Sequence, residues 1–226
     1  MTCRILVLIS GSGTNLQALI DSLQTRPDEG RIVAVMSNRP EAKGLERARQ
    51  AGIPTLALDN RDYPDREHYD QAVIEHIDQF KPDLVLLAGF MRILTPTFVE
   101  HYRGLLLNIH PSLLPKYKGL HTHQRALDAG DDEHGSTVHF VTPELDGGPL
   151  ILQATVAIAP DDTPASLAAR VQQQEHQLYP LVMDWFIQGR LRLIDGQAQL
   201  DGHALPSGGL KLQDHNHDLR EHHYAS

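Results

Sequence analysis

Short apolar stretches alternate with amphipathic stretches through the first half of the chain. The apolar stretches are rich in Val, Ile and Leu, which is typical of buried strands. After the first of them, Leu16, Leu19, Ile20 and Leu23 recur at helical spacing and indicate a helix with one buried face. The strands predicted in this half are 4–9, 32–36, 55–58, 83–88 and 105–110, and the further helices are 42–51 and 66–80.

The alternation of strand and helix predicts the fold class. Strands that read as continuous apolar runs are buried on both faces, as in a parallel sheet covered by helices. The crossovers of such sheets are almost always right-handed. We therefore expect a doubly wound, mostly parallel Rossmann-like α/β sheet, in which the carboxyl ends of the strands border the ligand crevice.

The second half has a different pattern, with shorter alternating stretches that favour antiparallel edge strands. The predicted elements are strands 136–141 and 151–158, a helix over 165–189 with a kink or boundary at Pro180, and a hairpin of 191–194 and 197–200 around Asp195-Gly196. No repeat or linker divides residues 1–207, which predicts a single domain. Residues 208–226 are polar and His-rich, and we expect a loose tail there.

Composition narrows the class of protein. With 20 Lys and Arg against 29 Asp and Glu, the net charge of −9 argues against binding along a nucleic-acid backbone. Cys3 is the only cysteine, so neither an intrachain disulfide nor a thiolate metal cluster is expected. The apolar run at 5–9 is too short for a signal peptide, and no stretch has the length of a membrane span. These features predict a cytoplasmic enzyme or binding protein that contacts no membrane.

A glycine-rich turn lies between the first strand and the first helix, with the sequence Ser10-Gly11-Ser12-Gly13-Thr14-Asn15. Backbone amides at a helix N-terminus are suited to a phosphate group. Leu16 stands where a dinucleotide fingerprint needs a third glycine, and no Lys is present for a P-loop. The turn favours a phosphate monoester, although a glycine turn that only caps the helix explains these residues equally well.

Two polar residues interrupt the end of the last apolar strand of the first half. Strand alternation places Asn108 and His110 on one face, and Pro111 ends the strand. Asn can donate to a developing oxyanion, and His can exchange a proton near neutral pH. Asp146 lies in a Pro/Gly-flanked turn from which a carboxylate can orient the His110 ring. A hydrogen-bonded core histidine is the alternative to this catalytic interpretation.

Fourteen histidines raise the question of a metal site. In an extended strand His121 and His123 would place both rings on one face, although partnered or solvated histidines in a loop are favoured. The histidines between 215 and 223 belong to the polar tail. We therefore expect no metal.

The residues around Asn108 and Asp146 carry a specific family resemblance. The run Asn108-Ile109-His110-Pro111-Ser112-Leu113-Leu114-Pro115 resembles the signature of the folate-dependent formyltransferases. The blocks Gly135–Val141 and Glu144–Pro149 are similar to the second block of that family. The resemblance extends over about residues 4–206. It implies one formyltransferase domain, with a phosphate-binding N-terminal half and a folate-binding, catalytic C-terminal half.

Within the family, the turn at 11–17 is similar to that of the branch that acts on glycinamide ribonucleotide. The branch that acts on tRNA has a basic C-terminal domain, and the formyltetrahydrofolate hydrolases have an N-terminal regulatory domain. Neither is expected here. The resemblance therefore implies glycinamide ribonucleotide and 10-formyltetrahydrofolate as substrates. Dimers among relatives make a homodimer an expectation as well.

The resemblance also implies roles for individual residues. Asn108, His110 and Asp146 would be catalytic, and Gly13, Thr14 and Asn15 would hold the substrate phosphate. Glu175 would hold the ribose, unless it belongs to a solvated helix face. The folate would contact Arg66, Met91, Arg92, Ile93, Leu94, Thr142 and Asp146. Arg66 could instead be an ordinary surface cation, and 91–94 taken alone reads as core. A formyl hydrolase and a catalytically silent phosphate-sugar or folate-binding protein are the alternative functions.

Overall fold

A computed structural model describes residues 2–213 of the chain. They divide into two compact units. Unit 1 comprises the chain up to Asn108 together with Val141–Leu145, and unit 2 comprises Ile109–Phe140 and the chain from Asp146 onward.

Unit 1 is built on parallel strands in the order β5-β4-β1-β2-β3. The strands are β1 (Cys3–Ile9), β2 (Gly30–Ser37), β3 (Thr55–Ala57), β4 (Leu84–Leu87) and β5 (Leu106–His110), the last two residues of β5 belonging to unit 2. The helices are α1 (Thr14–Gln24), α2 (Lys43–Gln50), α3 (Arg66–Gln79) and α4 (Pro96–His101), with a 3-10 turn at Asn60–Asp62. This is the predicted alternation of strand and helix.

Both faces of the unit 1 sheet are covered. Every side chain from Ile5 to Ile9 is fully buried. Leu6 and Leu8 belong to one core cluster with residues of α3 and α4, and on the other face Ile9 approaches Gly44 of α2. Burial on two faces is what the continuous apolar runs predicted, and it confirms the doubly wound fold class.

Unit 2 contains the antiparallel strands. β6 (Glu133–Phe140) runs antiparallel to β7 (Leu150–Ala157), and β11 (Leu210–Lys211) runs parallel to β7. A separate antiparallel sheet contains β8 (Leu191–Ile194), β9 (Gln197–Leu200) and β10 (His203–Ala204). The helices are α5 (Thr122–Ala129) and α6 (Pro164–Ile187). These strands confirm the antiparallel character predicted for the second half.

Local chemistry explains most of the element boundaries. Thr163 and Ser166 form a capping box at the start of α6, and Asp65 caps α3 through the His68 amide. Asp195 and Gly196 both have positive φ, as the predicted tight hairpin turn requires. A boundary at Pro180 is wrong, since α6 continues through it and packs Tyr179, Val182 and Met183 into the interior.

The region from residue 208 is only partly described. Leu210 and Lys211 pair with the free edge of β7, and Leu212 is buried. Residues 210–212 therefore do not fit the loose tail predicted for residues 208–226, because they pair with β7 and bury Leu212, and the part of that prediction at 214–226 lies outside the described residues.

Candidate active site

The turn after β1 presents backbone amides at the start of α1. Gly13 has φ 71° and is the N-cap residue of the 11-residue helix, and as a glycine it has no side chain that could cap the first turn. Gly11 and Ser12 are exposed, while Thr14 and Asn15 are half-buried. The first amides of a helix lack backbone partners and carry partial positive charge, so this turn can bind an anion.

The turn is held in place by α2, which sequence reasoning did not connect with it. Gly44 N–H donates to the Gly11 carbonyl at 3.0 Å, and Arg47 Nε donates to the Ser12 carbonyl at 2.8 Å. A Cβ on Gly13 would lie 2.6 Å from Gly44 Cα. The only sequence signal was a glycine at the start of the second helix.

The segment at 91–94, after β4, has two exposed apolar side chains, although its sequence taken alone indicated burial in the core. Met91 and Ile93 are 58% and 55% exposed, whereas Leu94 is buried. Met91 N–H donates to Ser10 Oγ at 2.7 Å, and Arg92 stacks on the Tyr69 ring, with its Cζ 4.6 Å from the ring centroid. The segment therefore exposes two apolar side chains, and its backbone and Arg92 are held by contacts within unit 1.

The other predicted folate contacts in unit 1 are on its surface. Arg66 is exposed at the first position of α3. Thr142 is half-buried in the segment Val141–Leu145, which is tied to β5 by the Val141 amide donating to the Leu106 carbonyl at 3.0 Å.

Asn108 is half-buried on β5 and lies on the same face of that strand as His110, two residues later.

Unit 2 brings His110 and Asp146 together. His110 Nδ1 lies 3.6 Å from Asp146 Oδ2, and both side chains are more than 90% buried. His110 Nε2 lies 2.9 Å from the Tyr117 carbonyl, and Gly119 N–H donates to Asp146 Oδ2 at 2.8 Å. Both ring nitrogens of His110 face oxygen atoms, and Nε2 is the donor to Tyr117 because a carbonyl oxygen can only accept.

A second histidine adjoins Asp146 and was not singled out from the sequence. His139 of β6 is buried, and its Nε2 lies 4.0 Å from Asp146 Oδ1. Burial lowers the pKa of His139, which favours the neutral ring. Its position two residues after Thr137, in a strand that leads to the Asp146 turn, was the available signal.

Glu175 is buried at 7% exposure on α6, so the solvated-face alternative is wrong. Ser136 Oγ lies 3.0 Å from Glu175 Oε1 and 2.9 Å from the His110 carbonyl. One buried hydroxyl thus links the Glu175 carboxylate to the backbone at the end of β5.

His121 and His123 do not form the extended pair that sequence allowed. His121 has φ 58° and precedes α5, so the two rings do not alternate along a strand. His123 Nδ1 lies 3.1 Å from His134 Nε2, and burial lowers the pKa of both rings, that of His134 to about 4. Among residues 2–213, no group of three or more His, Cys, Asp or Glu is arranged to hold a metal ion. The histidines at 215, 217, 222 and 223 lie outside the described residues.

The described part of the chain contains no helix that is both long and apolar enough to span a membrane.

Known proteins are similar to this chain over most of its length. The family model described as Formyl transferase matches residues 3–183. Phosphoribosylglycinamide formyltransferase of Escherichia coli (strain K12) is 58% identical over 205 residues, which cover 91% of this chain and 97% of that protein. The protein of the same name from Haemophilus influenzae is 50% identical over 206 residues, with 91% and 97% covered.

Solved structures give the same result. The phosphoribosylglycinamide formyltransferase of Coxiella burnetii matches with a TM-score of 0.89 at 50% identity, covering 93% of this chain and 99% of that one. Glycinamide ribonucleotide transformylase 1 from Symbiobacterium toebii matches with a TM-score of 0.85 at 43% identity, covering 88% and 94%. The resemblance inferred from the motifs is confirmed, and this chain belongs to the formyl transferase family.

Proposed function

We propose that this protein transfers a formyl group from 10-formyltetrahydrofolate to the terminal amine of glycinamide ribonucleotide, a step of purine biosynthesis. The observation that carries the proposal is the buried His110–Asp146 pair at the end of a strand that also carries Asn108. The similarity to enzymes named phosphoribosylglycinamide formyltransferase, at up to 58% identity over nearly the whole chain, supports the same substrates.

The proposed chemistry is a direct transfer. The neutral amine attacks the formyl carbon, and the new C–N bond gives a tetrahedral intermediate with a negatively charged oxygen. The Asn108 amide and a protonated His110 donate to that oxygen, and Asp146 orients the His110 ring and stabilises its charge. Collapse breaks the bond to the folate nitrogen, which receives the proton that the amine loses, through His110 or through water.

Substrate binding is assigned to the surfaces described above. Gly13, Thr14 and Asn15 bind the phosphate through the backbone amides at the start of α1. Glu175 accepts from the ribose hydroxyls. Arg66, Met91–Leu94, Thr142 and Asp146 contact the folate, with Met91 and Ile93 supplying exposed apolar area.

The decisive experiment is a formyl-transfer assay with purified protein. Deformylated folate and formylated ribonucleotide are measured with and without glycinamide ribonucleotide. Stoichiometric release of both products only when the ribonucleotide is present supports the transferase. Folate deformylation without an acceptor identifies the hydrolase, and binding without turnover identifies the silent binding protein.

A homodimer and a cytoplasmic location remain predictions. The mass of the purified protein, measured by light scattering across a range of concentrations, tests the first.

A further inference from the structure

Three polar side chains from neighbouring strands of unit 2 form a row. Thr137 of β6 pairs with Gln153 of β7, and Gln153 pairs with Lys211 of β11. Directly paired residues of adjacent strands point to the same face, so the three side chains are neighbours. Thr137 and Gln153 are 0% and 2% exposed, and buried polar groups of this kind need hydrogen-bond partners.

The partners are backbone atoms of the loop that follows His110. Gln153 Nε2 donates to the Leu114 carbonyl at 2.8 Å and to Thr137 Oγ1 at 2.9 Å. Thr137 Oγ1 donates to the Ser112 carbonyl at 2.7 Å and accepts from the Leu114 amide at 3.1 Å. Lys211 Nζ completes the row by donating to Gln153 Oε1.

The chemistry of Lys211 sets the orientation of the Gln153 amide in this network. An ammonium group only donates, so the oxygen of the Gln153 amide must face Lys211 and the nitrogen must face the loop. With the amide reversed, its oxygen would oppose the Leu114 carbonyl. The Thr137 hydroxyl would then have to donate to Gln153 and would lose its bond to Ser112. Lys211 therefore selects the one arrangement in which all these groups are paired.

The loop held in this way carries contacts to both catalytic side chains of unit 2. The Tyr117 carbonyl lies 2.9 Å from His110 Nε2, and the Gly119 amide donates to Asp146 at 2.8 Å. Ser112 Oγ also donates to the Lys116 carbonyl at 2.7 Å, which links the fixed part of the loop to the residue before Tyr117.

We propose that Lys211 is a positioning residue, which acts through Gln153 and Thr137 to fix the loop that orients His110 and Asp146. The inference rests on the proposed function, since it assigns Lys211 to the same reaction. β11 brings Lys211 into place, because Leu212 is buried beside it and Gln213 Nε2 donates to the Thr155 carbonyl at 3.0 Å. Gly209 favours this close approach, because its φ of 69° suits glycine and a Cβ there would lie a tight 3.1 Å from the Ile151 backbone.

The test compares the full-length protein with Lys211→Met, Lys211→Arg and Gln213→Leu. Lys211→Met keeps an aliphatic side chain but removes the donor, and Lys211→Arg retains a donor. Gln213→Leu is the matched control, since it removes a bond between the same segment and β7 that does not involve Gln153. Exchange of the Leu114 amide hydrogen is followed by NMR, and kcat, KM and Tm are measured alongside.

For Lys211→Met we expect exchange at Leu114 to rise roughly 5–30-fold, which corresponds to the loss of one charge-assisted hydrogen bond. The kcat should fall several-fold with little change in KM, and Lys211→Arg should restore both values. Gln213→Leu should lower Tm about as much as Lys211→Met and leave Leu114 exchange and kcat unchanged.

Unchanged Leu114 exchange in Lys211→Met would overturn the inference, as would faster exchange with an unchanged kcat. If Gln213→Leu changed Leu114 exchange and kcat as much as Lys211→Met does, Lys211 would only help to attach β11 to β7. That result would also overturn the inference. If the wild-type protein transfers no formyl group, the proposed function fails by itself, while the exchange measurement still decides whether Lys211 fixes the loop.

Discussion

The turn after β1 and the loop after β5 both follow apolar strands, yet they are held in place in different ways. The turn at Gly11–Gly13 is fixed by close contact with α2, where Gly13 and Gly44 approach without side chains between them. The loop from Ser112 to Gly119 is fixed by buried side chains, among them Thr137 and Gln153. The first arrangement brings the backbones of two elements into direct contact, and the second depends on hydrogen bonds from buried side chains.

The difference matches the work proposed for each region. A phosphate is recognised by several backbone N–H groups at a helix N-terminus, so steric packing of the backbone is sufficient. Charge that develops in a transition state requires donors held in a set orientation, which a paired polar network provides. Substitutions at His110, Asp146, Gly44 and Glu175 test whether the two regions contribute to catalysis and to binding in this separate manner.

The largest effect is expected at the catalytic pair. His110→Ala and Asp146→Asn should each lower kcat by about 10²–10³, because an oriented donor to the tetrahedral oxygen is lost. Both substitutions should leave the circular dichroism spectrum of the folded protein unchanged. Asp201→Asn, which breaks a surface ion pair with Arg190, is the control and should leave kcat unchanged. Near-normal turnover of either catalytic variant would contradict the role proposed for the pair.

The next effect concerns the packing of the turn. Gly44→Ala places a Cβ 3.0 Å from Gly13 Cα and 2.5 Å from Ile9 Cδ1, so both the Ile9 side chain and the turn are pushed from their positions. Overpacking of this kind costs about 1–3 kcal/mol, and where the turn absorbs this strain we expect KM for the ribonucleotide to rise at least roughly fivefold with kcat little changed. Lys43→Ala, an exposed neighbour in the same helix, is the control. A fall in kcat without a rise in KM would show that the two regions are not separate.

A smaller effect is expected at Glu175. Glu175→Gln keeps an oxygen for Ser136 but replaces the other carboxylate oxygen with a donor, which cannot accept from ribose hydroxyls. KM for the ribonucleotide should rise about fivefold, in line with one hydrogen bond of about 1 kcal/mol. Steady-state kinetics with the ribonucleotide varied measures this, and an unchanged KM would remove Glu175 from the binding residues.

A separate effect, on the stability of the fold and not on turnover, concerns the buried histidine His134 near the loop. Burial lowers the pKa of His134 from 6.5 to about 4, so between these values the unfolded chain binds a proton that the folded chain does not. The free energy of unfolding should therefore fall as the pH decreases from about 6.5 towards 4. Urea titrations at several pH values should show a shallower fall for His134→Gln. Parallel curves for the two proteins would contradict a buried neutral His134.

The sequence predicted most elements because their signals are local. Continuous apolar runs identified β1, β2, β4 and β5, and Asp195-Gly196 identified the hairpin of β8 and β9. α4 and α5 were missed, since they are short and begin after loops without a clear apolar period. The two residues of β11 were missed too, because pairing with β7 and the burial of Leu212 define that strand.

The residues of the candidate site show the same difference between local signals and contacts that depend on the tertiary structure. Asn108 and His110 could be placed on one strand face from alternation alone, because that periodicity is a property of the backbone. The sequence alone also determined the fold class and the family, through its apolar runs and its Asn-x-His and Leu-Asp-Gly-Gly motifs. Only the tertiary structure decided that Asp146 lies beside His110, that Gly44 packs on the turn and that Lys211 reaches Gln153. These contacts join residues far apart in the chain, and packing of the core brings them together.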